Sequence, residues 1–341
     1  MKTLRIILLP LSLIYTLVIL IRNMFFDIGI FKTRKIDIPV ISVGNITVGG
    51  TGKTPIVEYL INYLQTKNMK VAVVSRGYKR QSKGLVIVSD GKIVNPDPAV
   101  CGDEPLQIAR KFPNAIVLVN ENKFVASKLA KDKYCADIII LDDGFQHRKL
   151  FRNLDIVILK NSNSTYDNLL LPSGNAREPI ISLKRADFLL LPDGNFDQNT
   201  INKFHDKPYA TFKYQAIGLK SVFGNKTINL DLARYKKCYA FCGTGNPESF
   251  YNTLTENELK IQKIKIFSDH HFYTEADLKK IIKESKELGT EYIITTEKDA
   301  IKLNKFYEKY KDVEIYYLII KIKFIENEEK FLNKIDKLIK E

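Results

Sequence analysis

Val40-Ile-Ser-Val-Gly44-Asn-Ile-Thr-Val-Gly49-Gly50-Thr51-Gly52-Lys53-Thr54-Pro55 is the stretch whose reading decides the fold. An apolar β-branched run feeds a glycine-rich turn, and a helical pattern follows from Pro55 to Gln65. Glycines at such a turn let backbone N–H groups close around phosphate oxygens, and the following helix points its positive end at them. Gly49, Gly50, Thr51, Gly52, Lys53 and Thr54 are therefore the nucleotide-binding candidates. Lys53 would bridge the β- and γ-phosphates, and the Thr54 hydroxyl would ligate Mg2+. The strict phosphate-loop pattern places glycine five residues before Gly52. Thr47 stands there, so Gly49-Gly50 is expected to supply the missing freedom.

Outward from this stretch, short β-branched runs alternate with helical patterns: Val71–Ser75, Ala115–Val119, Asp137–Leu141, Leu154–Leu159 and Phe188–Leu191. Interleaving of this kind gives an α/β fold, a mostly parallel sheet covered on both faces. Residues 84–94 read as a hairpin turning at Asp90-Gly91. The pattern loosens over 193–215. A second series follows, with strands at Lys237–Phe241, Lys263–Phe267, Tyr292–Thr295 and Val313–Ile320, helices at Pro247–Thr255 and Glu275–Leu288, and a last helix at Glu326–Lys340. The expectation is a P-loop NTPase-like core over residues 31–200 and a smaller α/β domain over 201–341 that closes on a shared cleft. An N-terminal membrane-associated helix over 1–30 precedes them.

That helix is read from Ile6 to Ile21, an apolar run with Lys2 and Arg5 before it and Arg22, Lys32, Arg34 and Lys35 after it. Sixteen helical residues reach about 24 Å, short of a full hydrocarbon core. No small-residue cleavage site follows, which favours a retained anchor dipping into the membrane over a signal peptide. The run is apolar nearly all round, so a surface-lying amphipathic helix is not expected. The 341 residues carry 53 Lys and Arg against 39 Asp and Glu, a net +14 that suits an anionic partner. The basic flanks point to an anionic membrane surface. No basic–aromatic stripe supports nucleic acid. Cys101, Cys135, Cys238 and Cys242 are too few and too scattered for a disulfide scaffold.

Asp137-Ile-Ile-Ile-Leu141-Asp142-Asp143 is an apolar strand ending in two acids, the place of a metal-holding carboxylate beside a phosphate loop. Gly102-Asp103-Glu104-Pro105 reads as a helix start, with Asp103 either a capping residue or a base at the cleft edge. Asp269-His270-His271 could tune a base through an imidazole–carboxylate pair. His147 is expected to orient rather than ligate. His205 carries no signal. Arg76 and Arg177 sit where a guanidinium could fork onto phosphate. Cys242-Gly243-Thr244-Gly245-Asn246-Pro247 is expected to be a packed turn rather than a second nucleotide loop.

Taken together these motifs resemble the tetraacyldisaccharide 4'-kinase (lipid A 4'-kinase) family. The likeness runs through Val43–Pro55, Ser75-Arg-Gly-Tyr78, Gly102–Pro105, Leu141-Asp-Asp-Gly-Phe-Gln-His147, Leu171-Pro-Ser-Gly174, Arg177-Glu-Pro179, Asp269-His-His271 and Thr295-Thr-Glu-Lys-Asp-Ala300. The resemblance implies transfer of the ATP γ-phosphate, with Mg2+, to the 4'-hydroxyl of a tetraacylated glucosamine disaccharide 1-phosphate. The place would be the cytoplasmic face of the inner membrane. It makes Asp103 the base, His270 its partner and Lys53 a catalytic cation. Gly49 to Thr54 and Asp143 would hold nucleotide; Thr54, Asp142 and Glu104 would hold metal; Arg76, Arg177 and Asn175 would meet substrate. Asn122-Lys123 stands where the family usually has an arginine, and Asn175-Ala176 where it often has Pro-Leu. The oligomeric state stays open, with a monomer sufficient. The alternative is a membrane-docked GTPase-like switch or metal chaperone, although Thr296-Glu-Lys-Asp299 lacks the asparagine of a guanine reader.

Overall fold

A computed structural model describes residues 2–49, 52–159, 169–192, 204 and 206–340. Within them thirteen strands form one mixed, mostly parallel sheet. Its core section is β1 (Val40–Gly44), β2 (Val71–Ser75), β3 (Val86–Asp90), β4 (Ile116–Val119), β5 (Ile138–Asp142), β6 (Leu154–Ile158) and β7 (Phe188–Pro192). The order β7-β6-β1-β5-β2-β4 is parallel throughout, and β3 closes the edge antiparallel to β4. These strands read as continuous apolar runs because both faces are buried. Ile41, Val43, Val71 and Val73 face α2 (Lys53–Thr66) and α3 (Asp103–Lys111), while Val40, Ala72 and Val74 face α4 (Lys123–Asp132).

The second section is β10 (Lys237–Cys242), β11 (Lys260–Ile266) and β12 (Tyr292–Thr296), again parallel, with α5 (Pro247–Glu256), α6 (Glu275–Glu287) and α7 (Glu297–Leu303). β10 and β12 also bury both faces: Cys238 and Ala240 pack toward α5, and Tyr239 and Phe241 toward α6. β11, at the sheet edge, has no buried residue. Two long strands, β8 (Tyr209–Ser221) and β13 (Ile315–Glu326), pair antiparallel and join the sections into a continuous sheet. The pair β8 and β9 (Thr227–Ile228) was not legible in the sequence. Thr211, Lys213 and Gln215 alternate with Phe212, Tyr214 and Ala216 in β8, which buries only alternate residues over much of its length, so no continuous apolar run marks it.

Three more differences have local causes. The turn at Asp90-Gly91 forms, but its returning arm is the single bridge Ser89–Val94, because β3 pairs with β4 instead. The last helix, α8 (Glu328–Lys340), leaves the second section and buries Phe331, Ile335 and Leu338 in the core of the first. Tyr59 and Tyr63 of α2 donate to Glu328 and Asp336 at 2.6 Å each, so this helix braces the phosphate-loop helix.

The N-terminal helix α1 (Leu9–Asp27) is longer than expected, about 28 Å. Nor is it uniform. Leu13, Ile14, Leu17, Val18 and Leu20 are exposed, while Ser12, Asn23 and Phe26 are buried against the protein. It is the only helix among the described residues long and apolar enough to cross a membrane.

Candidate active site

The carboxyl ends of β1, β5 and β2 open at the place where an α/β sheet binds its ligand. Beyond β1 the chain does not turn at once. Thr47 pairs with Ala176, the Val48 N–H donates to the Asn175 carbonyl (2.7 Å), and the Arg177 N–H donates to the Ile46 carbonyl (2.7 Å). Thr47 is thus extended, and this position has no need of the glycine that the strict motif demands. Gly49 (φ 98°) and Gly52 (φ 66°) adopt positive φ. Gly52 caps α2, the Tyr214 hydroxyl donates to its carbonyl (3.2 Å), and a Cβ there would fall 2.0 Å from the Tyr214 oxygen. Lys53 and Thr54 open α2, two residues before the start expected at Pro55. Gly50 and Thr51 lie outside the described residues.

β5 delivers the two acids. Asp143 (φ 52°) places its carboxylate between Lys53 (3.3 Å) and Arg177 (2.7 Å). Burial alone would push this carboxyl up; Lys53, Arg177 and Lys123 together hold it far below the usual carboxylate range. Lys123, which is buried, donates to the backbone carbonyls of Asp142 and Asp143 and so holds the turn from beneath. Asp142 faces the opposite balance. Burial first and the Glu104 charge second push it up to about 6. The Ser75 hydroxyl donates to one of its oxygens (3.3 Å), but the buried Oδ1 has no hydrogen-bond partner. An orphaned carboxylate oxygen beside a phosphate loop fits a hard divalent cation. Among the described residues no cluster of three or more His, Cys, Asp or Glu side chains could hold one, so the cation would complete its shell with phosphate oxygens and water.

The opposite wall is set by α3. Asp103 is not the cap: Gly102 (φ 87°) occupies that position, and Asp103 is the first residue of α3. The expectation of a capping aspartate is corrected, and its carboxylate is free for another use. Its Oδ2 lies 2.9 Å from His270 Nδ1 and 3.5 Å from Lys302 Nζ. Burial would raise this carboxyl, but His270, Lys302 and Lys298 pull it below its usual value. His270 follows β11 and is itself buried. Its Nε2 lies 2.9 Å from Lys298 Nζ. His271 stacks on Phe267 and pairs with Asp277 (3.1 Å), away from Asp103. Glu104, expected as a metal ligand, pairs with Lys298 at 3.8 Å.

Other expectations sort themselves by geometry. Arg76 is exposed at the end of β2. Asn175 contributes its backbone to the loop that carries Arg177. His147 Nε2 is buried without a hydrogen-bond partner, and burial beside Lys123 and Arg152 drives its pKa down to about 4. The Cys242–Pro247 turn is packed at its start, where Asp299 accepts from the Gly243 N–H (2.8 Å), and exposed at Gly245 and Asn246. Asp299 also accepts from Thr296 (2.7 Å) and pairs with Lys302 (2.9 Å), so it has no edge left for a guanine base. His205 lies outside the described residues.

Sequence reasoning missed the roles of Lys298 and Lys302. The signal was present as two lysines four apart just after an apolar strand, which puts both on one helix face.

The N-terminal helix is fastened to this same site. The Tyr15 hydroxyl donates to the Arg177 carbonyl (3.1 Å), Asn23 donates to Glu178 (3.0 Å), and Ser12 accepts from the Ser173 N–H (2.9 Å). Arg22 donates to the Gln146 carbonyl (2.6 Å).

A family model described as tetraacyldisaccharide-1-P 4'-kinase matches residues 4–340. A tetraacyldisaccharide 4'-kinase of Aquifex aeolicus is 37% identical over 324 residues, 95% of each chain. One of Desulfotalea psychrophila is 34% identical over 308 residues, 87% of each. A crystal structure of LpxK from Aquifex aeolicus in complex with ATP superposes with a TM-score of 0.80 at 34% identity, over 98% of this chain and 99% of that one. By fold, by site and by these matches, the chain belongs to the tetraacyldisaccharide 4'-kinase family.

Proposed function

We propose that the chain transfers the γ-phosphate of ATP to the 4'-hydroxyl of a tetraacylated glucosamine disaccharide 1-phosphate, with Asp103 as the base. The observation that carries this division of labour is the pairing of Asp103 with His270 opposite the Lys53–Asp143–Arg177 cluster. Lys53 and Arg177 are gathered on Asp143 before any phosphate arrives, so the cations meet the γ-phosphate already oriented. Asp103, held ionised, accepts the proton of the sugar hydroxyl as that oxygen attacks phosphorus. His270 keeps the carboxylate aimed. A weak base suffices, because in phosphoryl transfer most of the catalysis is positioning and charge stabilisation.

Mg2+ would be held by Asp142 and the Thr54 hydroxyl, where it would neutralise charge on the transferring phosphate. Arg76 and Arg177 are the groups offered to substrate phosphates. The exposed apolar face of α1 would enter the bilayer, with Lys32, Arg34 and Lys35 against anionic headgroups on the cytoplasmic face of the inner membrane. Closure of the second section over the cleft would shut out water and limit idle ATP hydrolysis.

The test is incubation with γ-labelled ATP and a diacylglucosamine disaccharide 1-phosphate. Label should appear on the lipid. Label released only as inorganic phosphate would overturn the assignment.

A further inference from the structure

We infer that Lys298 is a positioning residue for the proton transfer: its ammonium fixes His270 as the neutral ring protonated at Nδ1, which donates to Asp103. The inference rests on the reading of Asp103 as the base and adds what sets its partner.

The argument is one of donors and acceptors. A lysine ammonium carries three donors and no acceptor. At 2.9 Å from Lys298 Nζ, His270 Nε2 must therefore present its lone pair. The ring proton then sits on Nδ1, 2.9 Å from Asp103 Oδ2, a carboxylate oxygen that accepts. The chain of donors runs one way, from Lys298 through His270 to Asp103.

The surroundings explain why a lysine is needed. From α3, His270 meets Asp103, and Glu104 lies just beyond, paired with Lys298. From α7 come Lys298 and Lys302, the latter 3.5 Å from the same Asp103 oxygen. Its own neighbour Asp269 brings Oδ2 to 3.8 Å from Nε2. Lys79, from the loop after β2, pairs with Asp269 at 3.7 Å, and the Tyr78 ring stands edge-on at 5.5 Å. Without Lys298 the ring would lie between two carboxylates, Asp103 on Nδ1 and Asp269 on Nε2. Asp269 would then draw the ring proton from Nδ1 to Nε2 and leave Asp103 without its donor. Lys298, 3.7 Å from Asp269 Oδ1, occupies that second carboxylate and keeps the proton on Nδ1.

The test reads the ring directly, by nitrogen-15 NMR of the full-length protein in detergent at pH 7.5, beside steady-state kinetics. In the wild type His270 should show a protonated Nδ1 and a bare Nε2. In Lys298→Met the tautomer protonated at Nε2 should appear, and kcat should fall about tenfold with the KM for ATP within about twofold. Lys298→Arg, which keeps the donor, should restore the Nδ1-protonated ring and most of kcat. A wild-type ring protonated at Nε2, or a ring unchanged by Lys298→Met, would overturn the inference. Undiminished turnover in Asp103→Ala would instead defeat the base assignment and leave the ring signals as they are, so the two failures are read apart.

Discussion

The phosphate wall and the base wall proposed for the site are assembled in opposite ways. The phosphate wall comes from neighbouring strand ends in one section: Lys53 follows β1, and Asp142 and Asp143 end β5, the strand beside it. The base wall joins Asp103 to His270, which lies 167 positions further along the chain, and then to Lys298. The first wall is held by the register of a single sheet. The second exists only when α3, the loop after β11 and α7 meet. Variants on the base wall should therefore act through turnover alone, and variants on the phosphate wall through nucleotide handling, turnover or both.

Asp103→Ala gives the sharpest test of that contrast. Turnover should fall by about 10²–10⁴ with ATP affinity nearly unchanged. A comparable loss of ATP affinity, measured by calorimetry, would move Asp103 to the phosphate wall and erase the distinction. Lys53→Ala should lower kcat by about 10²–10³ even at saturating ATP, since its charge is needed as the phosphoryl group departs. Recovery of full kcat at high ATP would reduce Lys53 to a binding residue. Arg177→Lys loses the planar fork that meets Asp143 while keeping the charge. A drop of about tenfold in kcat/KM for ATP is expected, and no drop would mean that the fork is not used.

The smallest effect concerns the joint between the walls. Glu58 of α2 is buried where α2, α3 and α7 meet, bonded to Lys111 (2.7 Å) and Gln107 (3.1 Å), and Glu297 shares that lysine at 3.3 Å. Burial first, then the Glu297 charge, raises the Glu58 carboxyl from 4.5 to about 7. Between those values the folded protein binds more protons than the unfolded chain, so its stability falls as pH rises through the window. Glu58→Gln should flatten this dependence by on the order of 1 kcal/mol between pH 5 and 7.5, read by urea unfolding. An unaltered slope would show that the joint does not titrate.

How much was legible follows the same division. A strand–turn–helix motif and an apolar strand ending in acids carry their meaning within about a dozen residues, so the phosphate wall could be read from its letters. Most of the parallel strands were readable because burial on both faces makes them uniformly apolar; the edge strand β11, with Lys260, Lys263 and Lys265, is the exception. Asp103 and His270 had to be carried over by resemblance, since no local pattern ties residues so far apart. Asp103 even looked like a cap, until Gly102 proved to hold that place. The long strand β8 hid because polar residues alternate with apolar ones along it and leave no continuous apolar run, and Lys298 hid inside a segment read as a family motif and weighed as a guanine reader, with no role given to the lysine.

The N-terminal helix inverts the usual amphipathic rule, with hydroxyl and amide groups inward and leucines outward, and its inward groups grip residues 173–178 beside the cleft. On the membrane placement proposed above, immersion and reactivity would share one lever arm. The depth to which the leucines sank would set the height of Arg177 above the lipid tails, so a thinner or thicker bilayer would retune the enzyme without any change in its chemistry.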